Sequence, residues 1–207
     1  MKKYILNNLL LYFFGFFLIF SPLASAESVL DITEEDFIMG DENAPITIIE
    51  YASLSCSHCA DFHINTLPEL IKEFVDTGKA RIVFRDFPFN YPALLGSLVL
   101  RCVPEDIRYE YSNALYHLQS KWVLRENAKT TQELYKIMQS GGMTKERFNE
   151  CIDNVDLENE ILNGLMAVQS EFNIKSTPSF LINGILIEGN KTIKDFRQII
   201  DKILSEQ

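Results

Sequence analysis

The segment Ser55-Cys56-Ser57-His58-Cys59-Ala60 constrains the fold of this chain more than any other feature, because of what stands on either side of it. The run Ile46 to Tyr51 before it is almost continuously apolar and β-branched, which is typical of a buried parallel strand. After it, apolar residues recur at helical spacing from about His58 to Val75, with Pro68 expected to kink the helix and Gly78 to end it. Two cysteines three positions apart at the start of a helix lie within one turn, close enough to form a disulfide.

This placement predicts two thiols with different properties. The free backbone N–H groups and the dipole at a helix N-terminus stabilise a thiolate at Cys56, and His58 adds a positive neighbour when protonated. A lowered pKa makes Cys56 the attacking sulfur, while Cys59, one turn further in, is expected to be more buried. Stabilising the thiolate also stabilises the reduced form, which makes the disulfide a stronger oxidant.

Other uses of a CxxC pair fit less well. Covalent haem requires His directly after the second cysteine, and position 60 is Ala. Cys56, Cys59 and His63 form a C-x2-C-x3-H pattern, but a closed zinc site needs four ligands and the remaining cysteines are distant in sequence. We therefore expect no metal and no cofactor, and keep a thiol-based metal-binding module as the alternative from another class. A purely structural disulfide adds little, because the ring it closes is so small.

Glu50 lies on the same face of the predicted strand as Ile46 and Ile48, six residues before Cys56. Burial makes a carboxylate costly to ionise, so its pKa is expected to rise. We hypothesise that Glu50 helps to move a proton to or from Cys59. The alternative is that the strand ends early and leaves Glu50 exposed.

The rest of the chain completes a split α/β pattern. Residues 80–87 predict a second strand, and residues 93–172 are helical in pattern throughout. Asn183-Gly184 between two apolar runs predicts a β-hairpin, and residues 192–204 predict a closing amphipathic helix. A connection as long as 93–173 cannot be unstructured in a compact domain, so it is predicted to be a helical insertion.

Within this insertion, Thr130 with Glu133 predicts a capping box, and Thr144 predicts the N-cap of a helix that carries Cys151. Cys102 and Cys151 each fall on an apolar helix face, so in an oxidising compartment they are expected to form a structural disulfide between two helices. Two buried free thiols are the alternative.

The N-terminus has the layout of a secretory signal peptide. Lys2 and Lys3 precede an apolar run from Leu9 to Phe20, and Ala24-Ser25-Ala26 resembles a cleavage site, so we expect cleavage after Ala26. The alternative is an uncleaved membrane anchor.

The formal net charge of −10 argues against binding to nucleic acid, whose phosphates an acidic protein repels.

The order of strand, Cys-Ser-His-Cys, helical insertion and Ser176-Thr177-Pro178-Ser179-Phe180 resembles the DsbA family of bacterial thiol-disulfide oxidoreductases, in particular the branch with a second cysteine pair, over about Ala44 to Leu204. The resemblance implies a thioredoxin fold with an inserted helical domain, divided into residues 27–92, 93–173 and 174–207 after a signal peptide of residues 1–26. It implies that Cys56 is the nucleophile and Cys59 the resolving thiol, with His58 tuning the pair and Glu50 as the buried acid. Although most X-Pro bonds are trans, it also implies that Pro178 is a cis-proline facing the active site and that Thr177 binds an extended substrate.

The resemblance further implies a periplasmic enzyme that oxidises reduced or unfolded exported proteins and is itself reoxidised by a membrane quinone-linked partner. The short stretch between Ala26 and Pro45 lacks the dimerisation domain of dedicated isomerases, so a monomer is expected. The dipeptide Ser57-His58 differs from the Pro-His that is commonest in this family, and Thr177 also occurs in disulfide isomerases and reductases, which remain the alternative function.

Overall fold

A five-stranded mixed sheet forms the centre of the fold in a computed structural model that describes residues 28–206. The predicted signal segment, residues 1–26, lies outside the described residues. The strands are β1 (Phe37–Met39), β2 (Ile46–Ala52), β3 (Ala80–Asp86), β4 (Ser179–Ile182) and β5 (Ile185–Glu188). They are ordered β1-β3-β2-β4-β5, with β2 parallel to β3 and the other neighbours antiparallel.

Helices follow β2, fill the connection between β3 and β4, and close the chain. The first run alternates between α and π geometry, as α1 (Ser57–Asp61), a π turn (Phe62–Thr66), α2 (Leu67–Leu70) and a second π turn (Ile71–Val75). The others are α3 (Tyr91–Arg101), α4 (Glu105–His117), α5 (Gln119–Trp122), α6 (Asn127–Ser140), α7 (Lys145–Ile152), α8 (Val155–Phe172) and α9 (Ile193–Ser205). The irregularity expected around Pro68 therefore takes the form of π turns on both sides of it, and the helical run continues to Val75.

The strand predictions for β2 and β3 are confirmed, and so is the hairpin. Asn183 and Gly184 both have positive φ, 46° and 84°, as the turn between β4 and β5 requires. The Asn183 side chain also accepts a hydrogen bond from Thr47 N at 2.7 Å, which ties the turn to the start of β2.

Strand β1 was not predicted, because its three residues stand in a polar, acidic stretch without a repeating pattern. Phe37 stacks on Phe84 of β3 at 5.1 Å and contributes to holding this edge strand in place.

The prediction of a capping box at Thr130 and Glu133 is wrong. Helix α6 begins at Asn127, so Thr130 already lies inside it. The Thr130 side chain is fully buried, and its hydroxyl instead bonds both backbone groups of Leu124, in the loop before the helix. The N-cap predicted at Thr144 is confirmed, since its side chain accepts from Arg147 N.

The inserted helices pack directly against the segment that carries the cysteine pair. One apolar cluster combines Leu54 and Cys59 with Trp122 of α5, Phe148 of α7 and other residues of α3, α4 and α6. Gly96 of α3 makes this close approach possible, since a Cβ there would lie 3.0 Å from both Leu54 and Trp122. The insertion therefore forms one wall of the region around Cys59.

Candidate active site

Cys56 and Cys59 stand where the turn after β2 becomes helix α1. Cys56 is the N-cap residue, with extended backbone angles, and its N–H donates to Ser53 O at 3.0 Å. Cys59 lies in the first turn and is fully buried, whereas Cys56 is half-buried. Both thiols are free in the structure. The site thus has one accessible sulfur and one sulfur withdrawn from solvent, as the sequence predicts.

The pKa of Cys56 is lowered from 9.0 to about 5. The largest cause is a hydrogen bond from the Cys59 thiol, and hydrogen bonds from the Thr177 side chain and from the backbone N–H groups of Cys59 and His58 act in the same direction. Partial burial opposes them. His58 is exposed, and its backbone N–H is one of the groups that lower the pKa of Cys56. An effect of its imidazole on Cys56 stays a prediction.

The pKa of Cys59 is shifted in the opposite direction, well above the ordinary range of a thiol. Burial is the largest cause, followed by the neighbouring Cys56 and the negative charge of Glu50. The backbone N–H of Ser53, 3.4 Å from Cys59 Sγ, opposes the shift only weakly. In the reduced protein at neutral pH, Cys56 is therefore a thiolate and Cys59 a thiol.

Thr177, the residue before Pro178, lies against Cys56, although 121 positions separate the two in sequence. The Thr177–Pro178 peptide bond is cis, and the carbonyl oxygen of Thr177 lies 3.3 Å from Cys56 Sγ. The segment that carries them connects α8 to β4, whose register with β2 fixes its position beside the helix N-terminus.

Glu50 is fully buried in β2, as its strand position predicts. Its neighbours across the sheet are Phe84 of β3 and Phe180 of β4, and neither can compensate a charge. The compensating group is His63 in the π turn, whose Nε2 lies 3.0 and 3.1 Å from the two carboxylate oxygens of Glu50. The ring of His63 stacks on Tyr116 of α4 with 4.1 Å between ring centroids.

His63 was predicted only as a candidate metal ligand, and its pairing with Glu50 was not predicted. The spacing from Cys59 is the signal that could have indicated it. His63 follows Cys59 by four positions, and residues four apart share a helix face, so His63 is expected on the same buried side as Cys59. No group of three or more His, Cys, Asp or Glu side chains within residues 28–206 is arranged to hold a metal ion.

A second residue missed from the sequence is Gln119, the first residue of α5. Its side-chain amide donates to Leu54 O at 2.9 Å and to Cys56 O at 3.0 Å. One amide from the helical insertion thus holds the turn that leads into α1. A lone Gln at a helix start carries no sequence signal for such a role.

Cys102 and Cys151 form a disulfide that joins the C-terminal end of α3 to α7 across 49 positions, with 6.1 Å between their Cα atoms. Both sulfurs belong to the apolar cluster that surrounds Cys59. The disulfide therefore constrains the wall of the site and leaves Cys56 and Cys59 as the free pair.

The parallel pair β2–β3 with its intervening helix, the β4–β5 hairpin, the dithiol at the start of α1 and the cis-proline beside it together define a thioredoxin-fold protein with helices inserted between the two halves of the fold. The chain belongs to the thioredoxin family, whose model matches residues 32–202. The predicted α/β thioredoxin fold with an inserted helical region is confirmed.

Solved structures and curated relatives agree with the resemblance to DsbA proteins. The crystal structure of α-DsbA1 from Wolbachia pipientis matches with a TM-score of 0.79 and 29% identity, covering 86% of this chain and 95% of that one. A Rickettsia felis protein, named as a protein-disulfide oxidoreductase, is 28% identical over 177 residues, which are 85% of this chain but only 63% of that protein. Disulfide bond formation protein D of Bacillus subtilis is 22% identical over 180 residues, 81% of this chain and 76% of that protein.

The chain therefore spans less than two thirds of the length of the Rickettsia relative. Among residues 28–206, no helix has the length and apolar character needed to cross a membrane.

Proposed function

We propose that this protein is a thiol-disulfide oxidoreductase that introduces disulfide bonds into exported proteins by exchange at Cys56 and Cys59. The observation that carries the proposal is the asymmetry of the pair: a half-buried sulfur with a pKa of about 5 beside a buried sulfur whose pKa is strongly raised. The names of the Rickettsia and Bacillus relatives support the same class of reaction.

The reaction consists of two exchange steps. A substrate thiolate attacks Cys56 Sγ of the Cys56–Cys59 disulfide, forming a mixed disulfide while Cys59 leaves as a thiolate and, because of its high pKa, takes up a proton. A second substrate thiolate then attacks the substrate sulfur of the mixed disulfide, and Cys56 leaves as a stable thiolate. The substrate loses two electrons and gains a disulfide, and the enzyme is left as the dithiol.

The low pKa of Cys56 also favours this direction of electron flow. Stabilising the thiolate stabilises the reduced enzyme, which makes the Cys56–Cys59 disulfide more oxidising. We assign substrate binding to Thr177 and Pro178, whose backbone lies beside the attacked sulfur. Proton transfer at Cys59 is assigned to Glu50, whose charge acts on that thiol.

The cellular setting follows from the same proposal. We propose a monomer exported to the periplasm by a cleavable signal peptide, acting on reduced or unfolded exported proteins and reoxidised by a membrane quinone-linked partner. The division into residues 27–92, 93–173 and 174–207 is part of this proposal. It is supported by the run of helices α3 to α8 between β3 and β4.

A disulfide isomerase or reductase of the same fold is the second candidate, favoured by Thr177 in place of the Val that strong oxidases often carry before the cis-proline. The reduction potential separates these functions. A glutathione redox titration of the protein lacking residues 1–26 is expected to give a value well above the about −270 mV of thioredoxin, towards the about −120 mV of DsbA.

The titration is paired with the oxidation of a reduced, unfolded ribonuclease. The Cys56→Ser variant should be inactive, and the Cys102→Ser/Cys151→Ser variant should retain activity, which assigns the reaction to one pair. A potential close to that of thioredoxin, together with insulin reduction faster than ribonuclease oxidation, would show that the protein donates electrons.

A further inference from the structure

The helices inserted between β3 and β4 contact the turn of residues 53–56, which leads into α1. Leu54 packs with Trp122 of α5 in one apolar cluster. Ser55 Oγ donates to Oδ1 of Asn90, the N-cap of α3, at 3.0 Å. The shape of this turn therefore depends on the insertion as well as on the strand and the helix that the turn connects.

The amide of Gln119 makes the contact that acts directly on the backbone of the turn. Its Nε2 donates to Leu54 O at 2.9 Å and to Cys56 O at 3.0 Å. An amide nitrogen carries two hydrogens, so it can serve both oxygens at once. Cys56 O also accepts the first intrahelical hydrogen bond of α1, from Ala60 N at 3.0 Å, whereas Leu54 O lies in the turn, outside strand and helix. The bridge therefore joins the turn to the start of α1.

Gln119 is itself held in place, although α5 is only four residues long. Trp122, three positions later, is fully buried, and its Nε1 donates to Leu115 O of α4 at 2.9 Å. The N–H of Leu118, which precedes Gln119, donates to Ala114 O at 2.9 Å. A donor on a fixed backbone can hold the geometry of the group that it contacts.

We propose that Gln119 is a positioning residue of the exchange reaction, whose amide fixes the backbone of residues 54–56 and so keeps the sulfur of Cys56 at the N-terminus of α1. Cys56 is the N-cap, with φ −84° and ψ 124°, and the backbone N–H groups of His58 and Cys59 stabilise its thiolate there. Without the bridge, the turn relaxes and these contacts weaken. A less stable thiolate makes the disulfide less oxidising. The inference deepens the proposed function and rests on it.

Replacing Gln119 by Met tests this role, because Met is similar in length and helix propensity but cannot donate a hydrogen bond. The ultraviolet absorbance of the thiolate gives the pKa of Cys56, which we expect to rise by about one unit. The equilibrium constant for reduction of the Cys56–Cys59 disulfide by glutathione should fall about tenfold at pH 7, which corresponds to about 30 mV. A side chain that only stabilises the fold would change neither value.

The matched control is Gln132→Met, the same change at an exposed position of α6, which should leave both values at those of the parent protein. Gln119→Leu is the second variant, because Leu also lacks a donor but has a different shape, and it should give the same shifts as Met. Urea unfolding shows which variants are folded. If a folded variant of Gln119 loses stability but keeps the parental pKa and equilibrium constant, Gln119 does not position Cys56 and the inference is wrong.

The inference and the proposed function fail in different ways. If the parent protein does not exchange disulfides with glutathione, the proposed function is wrong and the role of Gln119 falls with it. If the parent protein exchanges and Gln119→Met matches it in both measurements, only the role of Gln119 is wrong.

Discussion

His63 Nε2 lies 3.0 Å from Oε1 and 3.1 Å from Oε2 of Glu50, and both side chains are buried. The contact joins the central strand β2 to the helical run that begins at the active site. Tyr116 stacks on the other side of the imidazole and restricts its orientation. Because apolar residues flank Glu50 in the sheet, His63 is the group that makes a carboxylate tolerable at this position.

Replacing Glu50 by Gln tests its role in proton transfer. The exchange of buried Cys59 between thiolate and thiol requires a proton, and Gln cannot supply or accept one. We expect the reduction of the oxidised protein by a substrate thiol to slow by about tenfold near pH 7 and its pH dependence to change. Stopped-flow fluorescence from pH 5 to 9 measures both, with the exposed Glu146→Gln as control. An unchanged pH dependence in Glu50→Gln would show that Glu50 moves no proton.

The energetic coupling of Glu50 to His63 is measurable in a double-mutant cycle. His63→Leu leaves a buried carboxylate without its partner and should lower the free energy of unfolding by about 3–5 kcal/mol. The double variant Glu50→Gln/His63→Leu should be less destabilised than the sum of the single changes, because the uncompensated charge is gone. Urea unfolding at pH 7 gives all four values.

The control for this cycle is His117→Leu at an exposed position of α4, expected to change stability by less than about 0.5 kcal/mol. Additive single effects would mean that the two side chains contribute independently.

The reduction potential should change slope with pH near the pKa of Cys56. Above about pH 5, reduction adds one proton, because Cys56 remains a thiolate while Cys59 becomes a thiol. The potential should therefore fall by about 30 mV per pH unit there, and by about 59 mV per unit below the pKa, where two protons are added. Thr177→Val removes one donor to the thiolate and should move the break upward, whereas Thr77→Val, at an exposed position, should not.

The lowered pKa of Cys56 also determines how the stability of the reduced protein depends on pH. A thiol whose pKa is 9.0 when unfolded and about 5 when folded contributes stability that is full above pH 9 and is lost as the pH falls through 5. The reduced form should thus lose stability relative to the oxidised form, whose disulfide does not titrate, on acidification from pH 9 to 5. Thermal unfolding of both forms across this range checks the sign, and a constant difference would contradict the lowered pKa.

Removing the second disulfide should affect stability more than chemistry. Closing a loop of 49 residues contributes about 4 kcal/mol in the chain-entropy model, and engineered variants often show less, so Cys102→Ser/Cys151→Ser should lose about 2–4 kcal/mol. Urea unfolding measures this loss, with the Cys56→Ser/Cys59→Ser variant as the comparison. A destabilisation below about 0.5 kcal/mol would mean that the packing of α3 on α7 holds without the bond.

Local patterns were sufficient for much of the fold. The β-branched run of β2, the Asn183-Gly184 turn and the cap at Thr144 each depend on residues close in sequence, and the structure confirms all three. The placement of Cys56 at a helix N-terminus belongs to the same category, because strand, turn and helix are adjacent. The wrong prediction of a capping box at Thr130 shows the limit of such local patterns. The Thr130 hydroxyl bonds to Leu124, in a loop whose path depends on tertiary packing.

Residues 46–59 alone were enough to predict a strand that leads into a helix with two unequal cysteines, and an acid on the buried face of that strand. Three contacts emerged only from the folded chain: His63 with Glu50, Gln119 with the turn before α1, and the carbonyl oxygen of Thr177 with Cys56 Sγ at 3.3 Å. The difference lies in the range of the interactions. Helix starts and turns follow from neighbouring residues, whereas these contacts exist only once the sheet register and the packing of the inserted helices have brought distant segments together.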